Sequence, residues 1–160
     1  MTSISERLHP NGSNLYSRFY HPQREAHIVK VQPGGVYCTN KEEIICTGLG
    51  SCVAACMWEP TLKIGGMNHF LLPFDSHAEL RHWHADEFLS TAARYGSHAM
   101  EMLINELVHL GADRRNLQIK LFGGAQMLGK HSMIGKKNIE FILHYVEQES
   151  FSVQAQDLGG

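Results

Sequence analysis

Cys52 leaves a Gly-rich bend, Gly48-Leu49-Gly50-Ser51, at the mouth of the apolar run Val53–Trp58. His69 lies in a second apolar run, Met67–Leu72, with the turn-prone Glu59-Pro60-Thr61 between the two. If the runs pair as strands, cysteine and histidine meet, and a thiol beside an imidazole is a nucleophile with its base. A thiol ordinarily ionises near a pKa of about 8.5, and a neighbouring imidazolium favours the thiolate at neutral pH. The same ring can protonate a leaving group and, once neutral, activate water for a second half-reaction. Glycines at 48 and 50 let backbone N–H groups turn toward one point, as an oxyanion hole requires.

Other chemistries fit these residues less well. Gly48-Leu49-Gly50 begins like a dinucleotide fingerprint, but Val53 stands where the third glycine belongs and no helical pattern follows. A Gly-Lys-Ser/Thr phosphate loop is absent too. As metal ligands, Cys46, Cys52 and Cys56 have the spacing C-x5-C-x3-C, without the close pair of structural zinc sites. His82-Trp83-His84, with Asp86 and Glu87, reads as a solvated loop, and Cys38 and Cys56 read as packing residues. Neither a metal nor an organic cofactor is expected.

The elements that must position the pair follow from periodicity. Residues 1–25 are polar and aperiodic and read as an irregular arm, although Leu15–Tyr20 is aromatic enough to dock on the domain. His27–Val31 alternates as a strand and Pro33-Gly34-Gly35 turns it. Ile44–Thr47 is a strand entering the bend, and Val53–Trp58, lacking polar alternation, is a strand buried on both faces. Phe74–Asp86 reads as a loop, with a helix beginning over Asp86–Ala93. A second helix runs from a cap at Ser97 to a stop at Gly111, with Ala99, Met100, Leu103, Ile104, Leu107 and Val108 on its apolar face. Leu117–Phe122 is a strand before Gly123-Gly124. A helix from about Lys136 to Gln148 shows Ile139, Ile142, Leu143 and Val146, and Phe151–Gln156 is a last strand.

A chain of 160 residues with 43% hydrophobic content builds one mixed α/β domain without disulfide staples. Net charge is −2 and no basic block stands out, which argues against nucleic acid as a partner. The first residues have no apolar core of a secretory signal, and nothing approaches a membrane span. The four cysteines therefore read as free thiols in a reducing cytoplasm. The 11 histidines, concentrated in the arm and in His77–His84, read mainly as surface residues.

Three blocks in order, L-G-S-C-V-A, G-G-M-N-H-F-L-L-P and K-L-F-G-G-A, make the chain from about Ile28 onward resemble the chemoreceptor glutamine deamidase family (CheD). The resemblance implies a cytoplasmic cysteine hydrolase that converts receptor glutamines to glutamates during bacterial chemotaxis. It implies a layered α/β/β/α fold of the cytotoxic-necrotising-factor type, a deamidase domain over 26–160, and a C-terminus shortened after Asp157-Leu158-Gly159-Gly160. Cys52 is then the nucleophile and His69 its base. Gly50 and Ser51 belong to the oxyanion turn, and Asn68, Gly123 and Gly124 lie beside the substrate. The family orients its histidine with a threonine six positions before the nucleophile, where this chain has Cys46, with Thr47 one residue later. Adjacent strand residues point to opposite faces, so a bulge, a shifted Thr47 or a backbone carbonyl would have to serve. The implied substrate is the cytoplasmic helical bundle of a chemoreceptor, and a CheC-type phosphatase is a further partner. Two alternatives stand beside this: a non-catalytic module that docks on receptors or regulates that phosphatase, and a thiol hydrolase or transglutaminase-like enzyme acting elsewhere.

Overall fold

The computed structural model describes residues 15–73, 91–127 and 133–160. In chain order they form β1 (Tyr16–His21), β2 (Ala26–Val31), β3 (Val36–Thr39), β4 (Glu43–Cys46), β5 (Val53–Glu59), β6 (Ile64–Asn68), α1 (Thr91–His109), β7 (Gln118–Gly123), α2 (Ile134–Gln148) and β8 (Val153–Leu158). The apolar run expected to be a doubly covered strand is β5, and it takes the centre of a five-stranded sheet of order β3-β6-β5-β7-β8. A second, three-stranded sheet has the order β1-β2-β4.

Burial separates the two faces of the larger sheet. Val53, Ala55 and Met57 of β5 pack with Leu103, Ile104 and Leu107 of α1 and with Phe141 and Ile142 of α2 in the main core. On the other face Tyr37 and Met67 meet Val29, Val31, Ile45 and Tyr16 of the smaller sheet. The class is mixed α+β in one unit, as expected. Among the described residues its layers are helices, larger sheet, smaller sheet, with no second helical layer outside the smaller sheet. No helix among them is long and apolar enough to cross a membrane.

Several elements depart from the sequence reading. Tyr16–His21 is no irregular arm: it is β1, paired antiparallel with β2 from Tyr16↔Val31 to His21↔Ala26, so the fold begins before residue 26. Its neighbour β2 supplies the missing half of the pattern, since a strand exposed over Ser17–Tyr20 carries little periodicity of its own. The short β3 was not foreseen and pairs with β6. Helix α1 starts at Thr91 rather than at a cap on Ser97, running through Gly96 without a break. In α2 the buried face is Asn138, Phe141, Ile142, Tyr145 and Val146, and Leu143 is left exposed. The loop over Phe74–Asp86, the start of a helix at Asp86 and the His82-Trp83-His84 group lie outside the described residues.

Gly96 explains the unbroken helix. A Cβ there would come within 2.5 Å of the Phe141 ring and 2.7 Å of Leu72 Cδ2, so α1 can lie against α2 and the strand end only without a side chain. An alanine in a helix interior ordinarily gains about 1 kcal/mol over glycine. Here overpacking opposes that gain, and Gly96→Ala is expected to lower stability by about 1–2 kcal/mol. Urea unfolding measures it, and a more stable variant would show that the helices have room to part.

Candidate active site

Strand register brings Cys52 and His69 to one face. Val53 pairs with Phe70 as an isolated bridge, Val53 N–H to Phe70 O at 3.0 Å and Phe70 N–H to Val53 O at 2.9 Å. This continues the antiparallel register in which Cys56 faces Met67. Ala54 thus lies opposite His69 and Cys52 opposite Leu71, all on the face that β5 and β6 turn toward the smaller sheet. Cys52 and His69 are diagonal neighbours on paired strands, a placement that puts Cα atoms about 7–8 Å apart and side chains within reach.

Between bridge and ladder the pairing is interrupted, and Asn68 fills the gap. Its Oδ1 accepts from Ala55 N–H at 2.9 Å, while its Nδ2 lies 3.3 Å from Ala99 O and from Met100 Sδ. The His69 backbone turns instead to the β2–β3 connection, donating to Gly35 O at 3.1 Å and accepting from Gly34 at 2.8 Å. Asn68 therefore faces α1, away from the thiol. Expected beside the substrate, its side chain here patches the broken ladder.

Thr47 reaches the histidine. Its hydroxyl donates to Val31 O at 2.7 Å, and the same oxygen lies 2.7 Å from His69 Nδ1. A hydroxyl has one proton, so the oxygen accepts from Nδ1–H. In the neutral ring Nε2 then carries the lone pair, and this atom is buried without a partner among the described residues. Strand alternation, which appeared to count against Thr47, favours it. Ile45 points into the seam between the sheets, Thr47 shares its side, and Cys46 points the other way. No bulge is required.

The bend carrying Cys52 is held from behind. Gly50 O accepts from Ala125 N–H, Ser51 O from the Asn138 side-chain amide and Cys52 O from Gly124 N–H, each at 2.8 Å. Asn138 Oδ1 also accepts from Leu72 N–H at 3.2 Å. Gly123 and Gly124 have φ of +108° and +73°, and a Cβ on Gly123 would strike the Cys52 carbonyl. These glycines, expected beside the substrate, bring their own backbone against that of Cys52. Neither Gly48 nor Gly50 has positive φ among the glycines of the bend, so its shape comes from these outside bonds. Asn138 was missed because an Asn in a helix reads as polar surface. The one available signal was its position three and four residues before Phe141 and Ile142.

Desolvation sets the charges. Burial pushes the Cys52 thiol above its ordinary value, opposed by its own backbone N–H, and burial pulls the His69 imidazole down. Both shifts disfavour the charged forms. Burial thus works against the thiolate and imidazolium expected from residue types alone. Cys56, pushed up to about 11 by burial, and Cys38, pushed higher still by burial, are packing thiols as expected. A cleft of about 280 Å³ at the far end of the inter-sheet seam, lined by Lys41, Glu43, Cys56 and Lys63, includes neither Cys52 nor His69.

Fold and site together define a class: an α+β protein that holds a half-buried thiol, a buried imidazole and a hydroxyl at the seam of two sheets. A family model described as CheD chemotactic sensory transduction matches residues 75–160. A protein of Vibrio vulnificus strain CMCP6, named probable chemoreceptor glutamine deamidase CheD, is 66% identical over 157 residues, 98% of this chain and 73% of its own. One of the same name from Vibrio cholerae strain M66-2 is 57% identical over 91% of this chain and 62% of its own. Another from Halorhodospira halophila is 46% identical over 93% of this chain and 68% of its own. The chain belongs to the CheD family.

If Thr47 fixes the ring, Thr47→Val should lower turnover about 10- to 100-fold, the usual loss when a group supporting a functional histidine is removed. Cys46→Ala, facing away, should leave turnover near wild type. Steady-state kinetics on both variants decide it, and a more damaging Cys46→Ala would reverse the assignment.

Proposed function

We propose that this chain hydrolyses the side-chain amides of glutamines on the cytoplasmic helical bundle of chemoreceptors, with Cys52 as nucleophile, His69 as proton carrier and Thr47 orienting the ring. The observation that carries the reading is the Val31–Thr47–His69 chain, which leaves Nε2 unpartnered on the face where Cys52 lies. A cytoplasmic location and residues 26–160, extended to include β1, as the deamidase unit belong to the same reading.

The reaction balances with water as the only other reactant. Nε2 takes the thiol proton as sulfur bonds to the amide carbon, and the carbonyl oxygen becomes an oxyanion. The backbone N–H groups of Ser51 and Cys52, neither of which is used in the backbone–backbone pairing of the bend, receive it. The imidazolium returns its proton to the nitrogen, the C–N bond breaks, ammonia leaves and a thioester remains. Nε2 then deprotonates water, which attacks the thioester, and the proton regenerates the thiol as glutamate is freed. Leu71, opposite Cys52, and Met127, against Gly50, are exposed apolar side chains on either side, suited to the flanks of a receptor helix.

A docking role, on receptors or on a CheC-type phosphatase, uses this rim and not the sulfur. Cys52→Ala should therefore abolish the mass gain of Gln-to-Glu conversion in a receptor fragment while binding of the fragment persists. Conversion by a folded Cys52→Ala protein would sink the thiol mechanism, and loss of binding would show that the sulfur itself is part of recognition.

Burial of both groups sets the pH dependence. Protonated His69 cannot accept the thiol proton, and its pKa is depressed, so kcat/KM should hold until the pH falls below about 6.5 and then drop. Alkylation of Cys52 by iodoacetamide should keep rising above about pH 8.5, because the thiol ionises late. A flat alkylation rate from pH 6 to 8, at about those values, would mean a preformed thiolate.

A further inference from the structure

Asn138 is the fully buried polar side chain that ties α2 to the nucleophile bend. Resting on the thiol-hydrolase reading above, we infer that Asn138 is a positioning residue that aims the Cys52 N–H at the oxyanion. A trans peptide is planar, and its carbonyl and N–H point in opposite directions. The chain contains no cis peptide bond among the described residues. Fixing Ser51 O therefore fixes the direction of the Cys52 N–H, and fixing Gly50 O fixes that of Ser51 N–H.

Both carbonyls are pinned from the same side. Ser51 O is held by the Asn138 amide and Gly50 O by Ala125 N–H, each at 2.8 Å. The paired N–H groups consequently point away from α2 and from the Gly123–Ala125 segment. The next peptide obeys the same logic: Gly124 N–H holds Cys52 O, and Val53 N–H, on the opposite side, donates to Phe70 O. That bond uses Val53 N–H in the sheet, whereas the two N–H groups before it donate to no backbone carbonyl among the described residues, and that of Cys52 lies against its own sulfur.

Asn138 has a second hold. Its Oδ1 accepts from Leu72 N–H, three residues beyond His69, so one side chain sets the nucleophile bend and the histidine segment relative to each other. An amide is suited to this because it donates from one atom and accepts at the other. Burial makes both bonds rigid, since a group left unpaired there would have no water to replace its partner.

The test separates aiming an N–H from merely propping the loop. Acylation of Cys52 by p-nitrophenyl acetate develops an oxyanion, whereas alkylation by iodoacetamide does not. In Asn138→Ala and Asn138→Asp, acylation should fall about 10- to 100-fold. Alkylation should change by less than about threefold, because it follows thiol ionisation and access. Asn138→Asp keeps the acceptor for Leu72 and loses the donor to Ser51, so a matching loss there assigns the effect to the donor. Thermal melts identify a variant that unfolds, and the other then carries the comparison. Equal losses in acylation and alkylation, or no loss in a folded variant, would overturn the inference. Normal wild-type acylation without conversion of receptor glutamines would instead overturn the substrate reading and leave the role of Asn138 standing.

Discussion

Two hydrogen bonds between Val53 and Phe70 hold the site together. They extend the β5–β6 register past the place where the ladder fails at Asn68. Without them Cys52 and His69 would be the free ends of two strands. With them, the residue before Val53 and the residue before Phe70 come to one face as diagonal neighbours. Val53 and Phe70 can carry this load because they lie at 0% and 1% exposure, in the core that α1 and α2 press against the larger sheet. Water competes poorly for backbone groups in such a place.

The seam between the sheets does the rest. Its apolar residues, Val29, Val31, Ile45 and Met67, keep the smaller sheet close enough for Thr47 to touch the His69 ring. The same enclosure leaves His69 at 3% exposure and lowers its affinity for a proton. The hydroxyl, whose own proton is engaged with Val31 O, sets the tautomer that leaves the lone pair on Nε2. Burial of the half-exposed Cys52 thiol likewise works against its ionised form.

The chain divides its polar groups by depth. Glu59 is buried at 1% exposure and spends both carboxylate oxygens on Thr61 and Leu62 N–H groups, closing the β5–β6 turn. Asn68 and Asn138 serve backbone in the same way near the site. Tyr37 and Thr39 converge on Glu43, which also pairs with Arg18 at 3.0 Å and so fastens β1 across the smaller sheet to β3. Glu59, Asn68 and Asn138 each replace a backbone partner that strand or helix geometry could not supply.

Much of the site was legible from residue order. Local pattern determines β2, β4, β5 and the hairpin into His69, since side-chain period and turn chemistry act over a few residues. The wording around Cys52 and His69 also named the family correctly. The role of Asn68 and the face of α2 were not legible, because an asparagine's partners are decided by which backbone lies nearby after folding. The same holds for β1, whose exposed strand exists only because β2 offers it hydrogen bonds. The choice of Thr47 over Cys46 needed the direction in which β4 faces, which Ile45 settles by entering the seam. Charge state was decided last of all. The sequence by itself determined which side chains could do chemistry; the tertiary structure decided that burial opposes the charged forms of thiol and imidazole, because only packing sets how much water each retains.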